Sequence, residues 1–461
     1  MKFFGIVMLG ASLLSAYDPM ATEVLTLHQA IEIVKNDNLE IKTADYDLRA
    51  AAEEKSIASG YHFGSLDFTQ DIIRSDDAGN VFGFKLASRE ATFGDFGFQD
   101  FFDWQNDGMP GGVNGILQTQ PNDLNYPEAR TFYQSKLSYQ LPLYTGGKLS
   151  AYGRIAETME KIKGLDKAAV IDEKLYQTRK AFYDLALLKS SNNHFQTILE
   201  NVKTLEKMTS TMIDEGYARK TDLLEVQSRR ANVERMINEI HANEALLYHF
   251  LSFLLNRTVT EIKTPEEDVP MCVRTDEQIL AGNIDLKKAA AGLDIRNEMV
   301  DVSFAGYLPQ LGAFAELSTA DDTFLGDASD HKAYTVGARL SWNLFSGGIT
   351  SAQVQKAKIE QMKMKTQVEL ARQGIALKMH QIYTEIKQRD FEIESLTKEL
   401  ELASRIYENY AERYREQLAS MSDVIVKQSE QIEKVLALLQ AKNKRNERVF
   451  ALQKLANGEL L

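Results

Sequence analysis

The chain has 461 residues, 44% of them apolar and 26% charged, which is the balance of a folded protein rather than a disordered one. Its formal net charge of −13 argues against nucleic acid as a partner, and its single cysteine, Cys272, excludes an internal disulfide and a cysteine-based metal site. Only 8 prolines interrupt it, so long continuous helices are open to it.

In chain order, residues 1–21 come first. Lys2 precedes an apolar run from Phe3 to Leu14, too short to cross a bilayer as a helix. This is expected to be a secretory signal peptide, cut after Ala16 or Ala21. No later segment has the length and apolarity of a membrane helix, so any membrane insertion must use strands.

A first repeat is expected over 22–263: a helix from Thr26 to Ser59, a strand over 66–73, a long extracellular loop over 74–130 and a strand over 131–143. A Gly146-Gly147 turn then leads into a long helix over 148–214, a tip, and a returning helix over 221–257. A linker, 264–275, carries Pro265 and Pro270. The second repeat, 276–461, follows the same plan: a helix from Asp276 to Ala305, a strand over 310–318, a loop over 319–332, a strand over 333–345, a Gly347-Gly348 turn, a long helix over 349–415, a tip and a helix over 422–457.

The duplication rests on ordered echoes. Leu137-Ser138-Tyr139 and Gly146-Gly147 recur as Leu340-Ser341-Trp342 and Gly347-Gly348; Gly60-Tyr61 recurs as Gly306-Tyr307. Asn38-Leu39-Glu40-Ile41-Lys42 recurs as Asn283-Ile284-Asp285-Leu286-Lys287, and Thr221-Asp222 with Gln227-Ser228 as Ser422-Asp423 with Gln428-Ser429.

The long helical stretches carry apolar residues at spacings of three and four, as in Ile155, Met159, Ile162 and in Ile198, Val202, Leu205. Uninterrupted, each would run roughly 100 Å, far beyond the width of a globular domain, which implies a rod or the wall of a tube. The strands alternate: Tyr334, Val336, Ala338, Leu340 and Trp342 against Thr335, Gly337, Arg339 and Ser341. Tyr133, Ser135, Leu137, Tyr139 and Leu141 likewise oppose Gln134, Lys136, Ser138 and Gln140. Runs of about ten residues suit a transmembrane β-barrel, although a half-buried sheet in a soluble protein has the same pattern. The partner strands are less regular, with Phe314 on the polar face. Two strands per repeat cannot close a barrel, and lipid tolerates no open edge, so a barrel would need several chains.

With these residues in view, the sequence resembles the TolC family of outer membrane efflux proteins. Leu25-Thr26-Leu27-His28-Gln29-Ala30 with Asn38, the Gly306-Tyr307-Leu308-Pro309 approach to a strand, the two strand–Gly-Gly–helix junctions and the repeated Thr/Ser-Asp pairs carry the likeness. The resemblance implies a mainly α fold with a small β part. Duplicated long-helix coiled-coil hairpins would form an α-barrel, and four transmembrane strands per chain would join a homotrimeric 12-stranded β-barrel. It implies an outer-membrane location with a long periplasmic extension, no enzymatic activity and no cofactor. A periplasmic adaptor, an inner-membrane transporter and outer-membrane lipid would be the partners. The function implied is passive export of drugs, metals or secreted proteins.

The same resemblance directs attention to the tips, expected at 214–221 and 416–422, farthest from the barrel. Asp222 and Asp423 follow them, and three copies of each would form carboxylate rings that favour cations. Asp423 matches the family's ring position; its second ring position is Val426 here, and Glu225 is the first repeat's counterpart. Tyr414, Asp222 and Thr221 match gate contacts, while the gate arginine is replaced by Ala419, leaving Arg219 to take its part. Gln417 stands where the first repeat has Gly216. Thr-Asp or Ser-Asp at a helix start is also an ordinary N-cap, so both aspartates are expected to cap.

Other chemistry finds no motif. The seven histidines show no metal-ligand spacing, there is no P-loop, dinucleotide fingerprint or nucleophile elbow, and the Asp-rich stretch 321–330 lacks the order of a calcium loop. The loop over 75–128 is aromatic and glycine-rich and has no motif to assign its role. The alternatives to a channel are a non-conducting coiled-coil envelope protein and a soluble coiled-coil scaffold.

Overall fold

The computed structural model describes residues 24–265, 269–271, 274–324 and 330–457; the expected signal peptide and Cys272 lie outside the described residues. The chain divides into two compact units.

The first unit takes 24–47, 164–288 and 369–457 and is helical. Thr26 starts it by capping α1 (Leu27–Asp37): its Oγ accepts the Gln29 N–H at 3.3 Å, and Gln29 Oε1 accepts the Thr26 N–H at 2.9 Å. The single helix expected from Thr26 to Ser59 is in fact two, α1 and α2 (Leu39–Gly60), broken at Asn38. Asn38 leaves helical geometry with ψ 128°, and its buried amide donates to the Leu254 carbonyl at 2.8 Å. Its Oδ1 accepts the N–H groups of Glu40 and Ile41 at 3.0 and 3.1 Å, so one side chain caps the next helix and ties it to α8 (Lys220–Leu255).

The second repeat does the same. Its expected helix from Asp276 to Ala305 is split into α9 (Asp276–Gly282) and α10 (Ile284–Phe304) at Asn283, which donates to the Leu455 carbonyl at the end of α12 (Met421–Leu455). An asparagine satisfies the orphan groups of two helix ends at once, which a helix-periodic pattern does not reveal.

Two helices of 67 residues, α7 (Lys148–Asp214) and α11 (Ile349–Arg415), run on through both units, each about 100 Å long. In the first unit the core is a set of stripes rather than a centre. Phe182 and Leu185 of α7 pack with Ala30, Val34, Leu251 and Leu255, while Met379 and Ile386 of α11 pack with Ile279 and Phe450. A third cluster joins the ends of all four long and returning helices, from Phe195 and Val202 to Val226, Tyr414, Met421 and Val424.

The second unit, 48–163 and 289–368, holds an antiparallel sheet in the order β1 (Ser65–Ser75), β2 (Arg130–Tyr144), β3 (Gln310–Asp321), β4 (Lys332–Ser341). β4 ends at Ser341 rather than at 345; the chain must turn there into α11, through Gly347 and Gly348 at φ 61° and 86°, which a side chain rarely tolerates. At the matching turn before α7, Gly146 has φ 66°, and a Cβ would stand 3.0 Å from the Ala305 carbonyl. The loop expected over 74–130 is not featureless: it contains α3 (Ala78–Ala87), α4 (Phe98–Asn106), α5 (Gly112–Gln118) and α6 (Asn122–Asn125). Among the described residues no helix is long and apolar enough to cross a membrane.

Candidate functional site

Two surfaces carry functional information, one on the sheet and one at the helix tips. On the sheet, register decides the faces. Phe68, Leu137, Leu317 and Tyr334 stand in one row; Leu66, Tyr139, Ala315 and Val336 stand in the next. Leu311 and Leu340 continue the same face. Most of these side chains are open in the single chain, Tyr334 at 78% and Val336 at 72% exposure, with Leu311 and Ala315 half-buried among them, so the sheet presents a contiguous apolar belt to its surroundings.

The opposite face places Asp67, Ser138, Glu316 and Thr335 in one row and Thr69, Lys136 and Ser318 in the next; Lys136 pairs with Glu316 at 3.3 Å. Phe314 belongs to this polar face. It fits because Gly337 opposite has no Cβ, which would lie 2.7 Å from the ring, and because the Arg339 guanidinium sits 5.8 Å from the ring centroid. Within the described chain β1 and β4 each pair on one side only, leaving both outer edges of the sheet with unpaired backbone groups.

At the tips, α7 and α11 end in the same geometry. Gly216 and Gln417 adopt φ 81° and 64°, and the N–H groups of Tyr217 and Leu418 reach back to the carbonyls of Met212 and Arg413, both at 2.7 Å. The returning helices then begin at Lys220 and Met421. Asp222 Oδ2 accepts the Arg219 N–H at 3.1 Å, and Asp423 Oδ2 accepts the Ser420 N–H at 3.0 Å. Ser420 completes the exchange by accepting the Asp423 N–H at 3.2 Å. The Ser420 hydroxyl and N–H hold the Asp423 carboxyl below its ordinary value, helped by Arg413 and Lys427. Both aspartates therefore cap helices, and Asp423 remains exposed.

The other sequence-derived residues are placed as follows. Tyr414 is buried at 4% exposure among the tip core, and its hydroxyl has no hydrogen-bond partner among the described residues. Burial pushes its phenol up, Thr209 opposes this, and the nearby Asp222 carboxylate adds to it. Thr221 Oγ lies 3.5 Å from Asp222 Oδ1, the far limit of a hydrogen bond, and Arg219 is exposed. Glu225 accepts the Ser422 hydroxyl at 3.2 Å, bridging α8 and α12.

Sequence reasoning missed the rest of that bridge. Arg229 of α8 donates from Nε to Gln428 Oε1 at 3.3 Å and from its terminal nitrogen to Ser429. The repeated Gln-Ser pair was the available signal, but pairing across repeats does not follow from it. Among the described residues no group of His, Cys, Asp and Glu is gathered to hold a metal.

A profile of the outer membrane efflux protein family matches residues 277–458. No curated protein matches the chain. Among solved structures, the CusC channel is 13% identical, covers 93% of this chain and 91% of its own, and superposes with a TM-score of 0.75. The outer membrane protein VceC of Vibrio cholerae is 14% identical over 94% of this chain and 96% of its own, at 0.74. The CmeC outer membrane channel of Campylobacter jejuni is 14% identical over 99% and 94%, at 0.73. At such identities the likeness establishes a shared fold, and here it extends over nearly the whole chain.

Proposed function

We propose, from the match of residues 277–458 to the outer membrane efflux protein family, that this chain is a member of that family and one of three identical subunits of a conduit. In this reading an inner-membrane transporter delivers drugs, metals or secreted proteins, through a periplasmic adaptor, to be released outside the cell. The match over residues 277–458 and the shared fold support an outer membrane efflux channel rather than an enzyme; the trimer, the partners and the cargo classes belong to the same proposal.

One observation carries it. A four-stranded sheet with an exposed apolar face, a polar opposite face and two unpaired edges is stable in lipid only if the edges close on copies of itself. Three copies supply twelve strands, enough to enclose a water-filled lumen lined by Asp67, Lys136, Ser138, Glu316 and Thr335. Residues 1–21 serve as the leader that sends the chain across the inner membrane. The repeats contribute paired helical hairpins, whose tips carry Asp423, Asp222 and Glu225 toward the transporter side.

At that end the carboxylates attract cations, with Asp423 the strongest candidate because it is exposed and held ionised by its cap. The gate contacts of this chain are the cross-repeat links Glu225–Ser422 and Arg229–Gln428, with Tyr414 as core packing beside them. Energy comes from the partner, since the conduit is passive.

Single-channel recording on the purified oligomer in lipid bilayers tests this. Discrete conductance with cation preference, reduced in Asp423→Asn, is the expected result. An oligomer that inserts and never conducts would instead mark a structural coiled-coil envelope protein; unchanged reversal potential in Asp423→Asn would remove the selectivity role alone.

A further inference from the structure

The segment between β1 and β2 occupies a face of the sheet that the strand pattern alone left unexplained. Along β2 the polar face runs Ser138, Lys136, Gln134 and then Phe132, an aromatic where water is expected. Along β3 it runs Glu316, Ser318 and then Ala320. Phe132 and Ala320 are each only 4% exposed. They are covered by α3, which packs on β3 and stacks the Phe84 ring on Phe132 at 4.2 Å and 11°. Val81 of the same helix is buried at 2% exposure.

Polar contacts fix the segment at both ends. Arg130, at the start of β2, pairs with Glu90 and reaches Ser88 Oγ at 3.4 Å, and Arg89 donates to the Lys332 carbonyl at 3.0 Å. Asp77 caps α3 by accepting the Asn80 N–H at 3.0 Å, and Lys85 pairs with Asp95 beyond it. α3 and the turn after it are thus folded down onto the polar face, at the end of the sheet opposite the helices that lead into it, rather than projecting away.

We propose that residues 76–129 form a built-in constriction at the outer mouth of the channel, with α3 as the element that narrows it. This rests on the reading that the apolar belt faces lipid, because the polar face is then the lumen wall. Scale makes the effect large. Twelve strands about 4.8 Å apart, tilted near 40°, enclose roughly 24 Å between opposite backbones. Three helices, each about 10 Å across, would nearly fill that width. What α3 turns toward the axis is slim and uncharged: Gly79, Asn80, Gly83 and Leu86 are exposed, and a Cβ on Gly83 would meet nothing within 4 Å. The constriction therefore selects by size rather than by charge, independently of the helix tips.

Accessibility from outside the cell separates the mouth from the tips. Thr335 is exposed on the polar face, in the row of Asp67, Ser138 and Glu316, well below the rows that α3 covers. With Cys272→Ser and Thr335→Cys, intact cells are treated with N-ethylmaleimide or with a long polyethylene glycol maleimide. We expect the small reagent to react readily and the long one at least ten-fold more slowly. Replacing 76–129 with a two-residue turn, which the Ser75–Arg130 pairing permits, should abolish the difference. Phe84→Ala, which keeps the chain length and removes the stack, should reduce it and decides the matter if the shortened chain does not assemble. Equal rates for both reagents with the segment intact, or a size difference unchanged in Phe84→Ala and in the shortened chain, would overturn the constriction. Failure of even the small reagent to reach Thr335→Cys in any variant would instead overturn the lumen, and with it the channel reading.

Discussion

The two helix tips reach one backbone geometry by opposite economies. In the first repeat Gly216 takes the left-handed turn freely, but the cap position holds Arg219, whose side chain offers no acceptor to the helix. In the second repeat Ser420 forms a full capping box with Asp423, but the left-handed turn is made by Gln417, at φ 64°. Each tip has one favourable element and one costly one. The lesson is that the turn is imposed by what lies behind it: Val226, Tyr414, Met421 and Val424 are buried together, so that both tips rest on a common core.

That comparison can be broken most severely in the core. Tyr414→Ala should cost about 3 kcal/mol by opening a cavity, read as lost hydrogen-exchange protection at the amides of both tips. If only the second tip loosens, the core is not shared. Next in size are the exchanges that equalise the tips. Ser420→Ala should weaken the second tip by about 1 kcal/mol, and Arg219→Ser should strengthen the first by a similar amount, both in thermal or denaturant unfolding. Gln417→Gly should stabilise the second tip by about 1 kcal/mol, by relieving the left-handed strain; a loss of stability would show that the glutamine side chain is needed.

A smaller effect concerns acid. The folded-state pKa of Asp423 is depressed, so its contribution is complete above the ordinary carboxylate value and disappears only as pH falls through the lower, folded value. Exchange protection at the second tip should therefore persist near pH 4, where a free aspartate is about half protonated, and fall below it. The smallest change is expected from Tyr414→Phe. Its hydroxyl has no well-formed hydrogen bond among the described residues, only the nearby Thr209, so stability should stay level; a clear loss of protection would reveal a contact supplied by a neighbouring subunit.

Much of this was legible in the sequence because it repeats with a physical period. Apolar spacing of three and four, unbroken by proline, marks the long helices, and alternation from Tyr334 to Trp342 marks a two-faced strand, since the backbone periods are properties of local geometry. Paired glycines mark where the chain must turn left-handed. The proposal of several copies also starts there, because four strands are too few to close a barrel.

Other features depended on partners distant in the chain. The echo of Asn38 in Asn283 was visible, but its meaning as a helix break waits on the carbonyls of Leu254 and Leu455, 216 and 172 residues away. Phe314 and Phe132 look misplaced on a polar face until Gly337 makes room for one and α3 covers the other. Whether Glu225 meets Ser422, and whether an aromatic insertion projects outward or folds over the polar face of the sheet, is set by packing between separate segments. Sequence patterns encode the period of an element; which surfaces meet is decided by the free energy of burying them together.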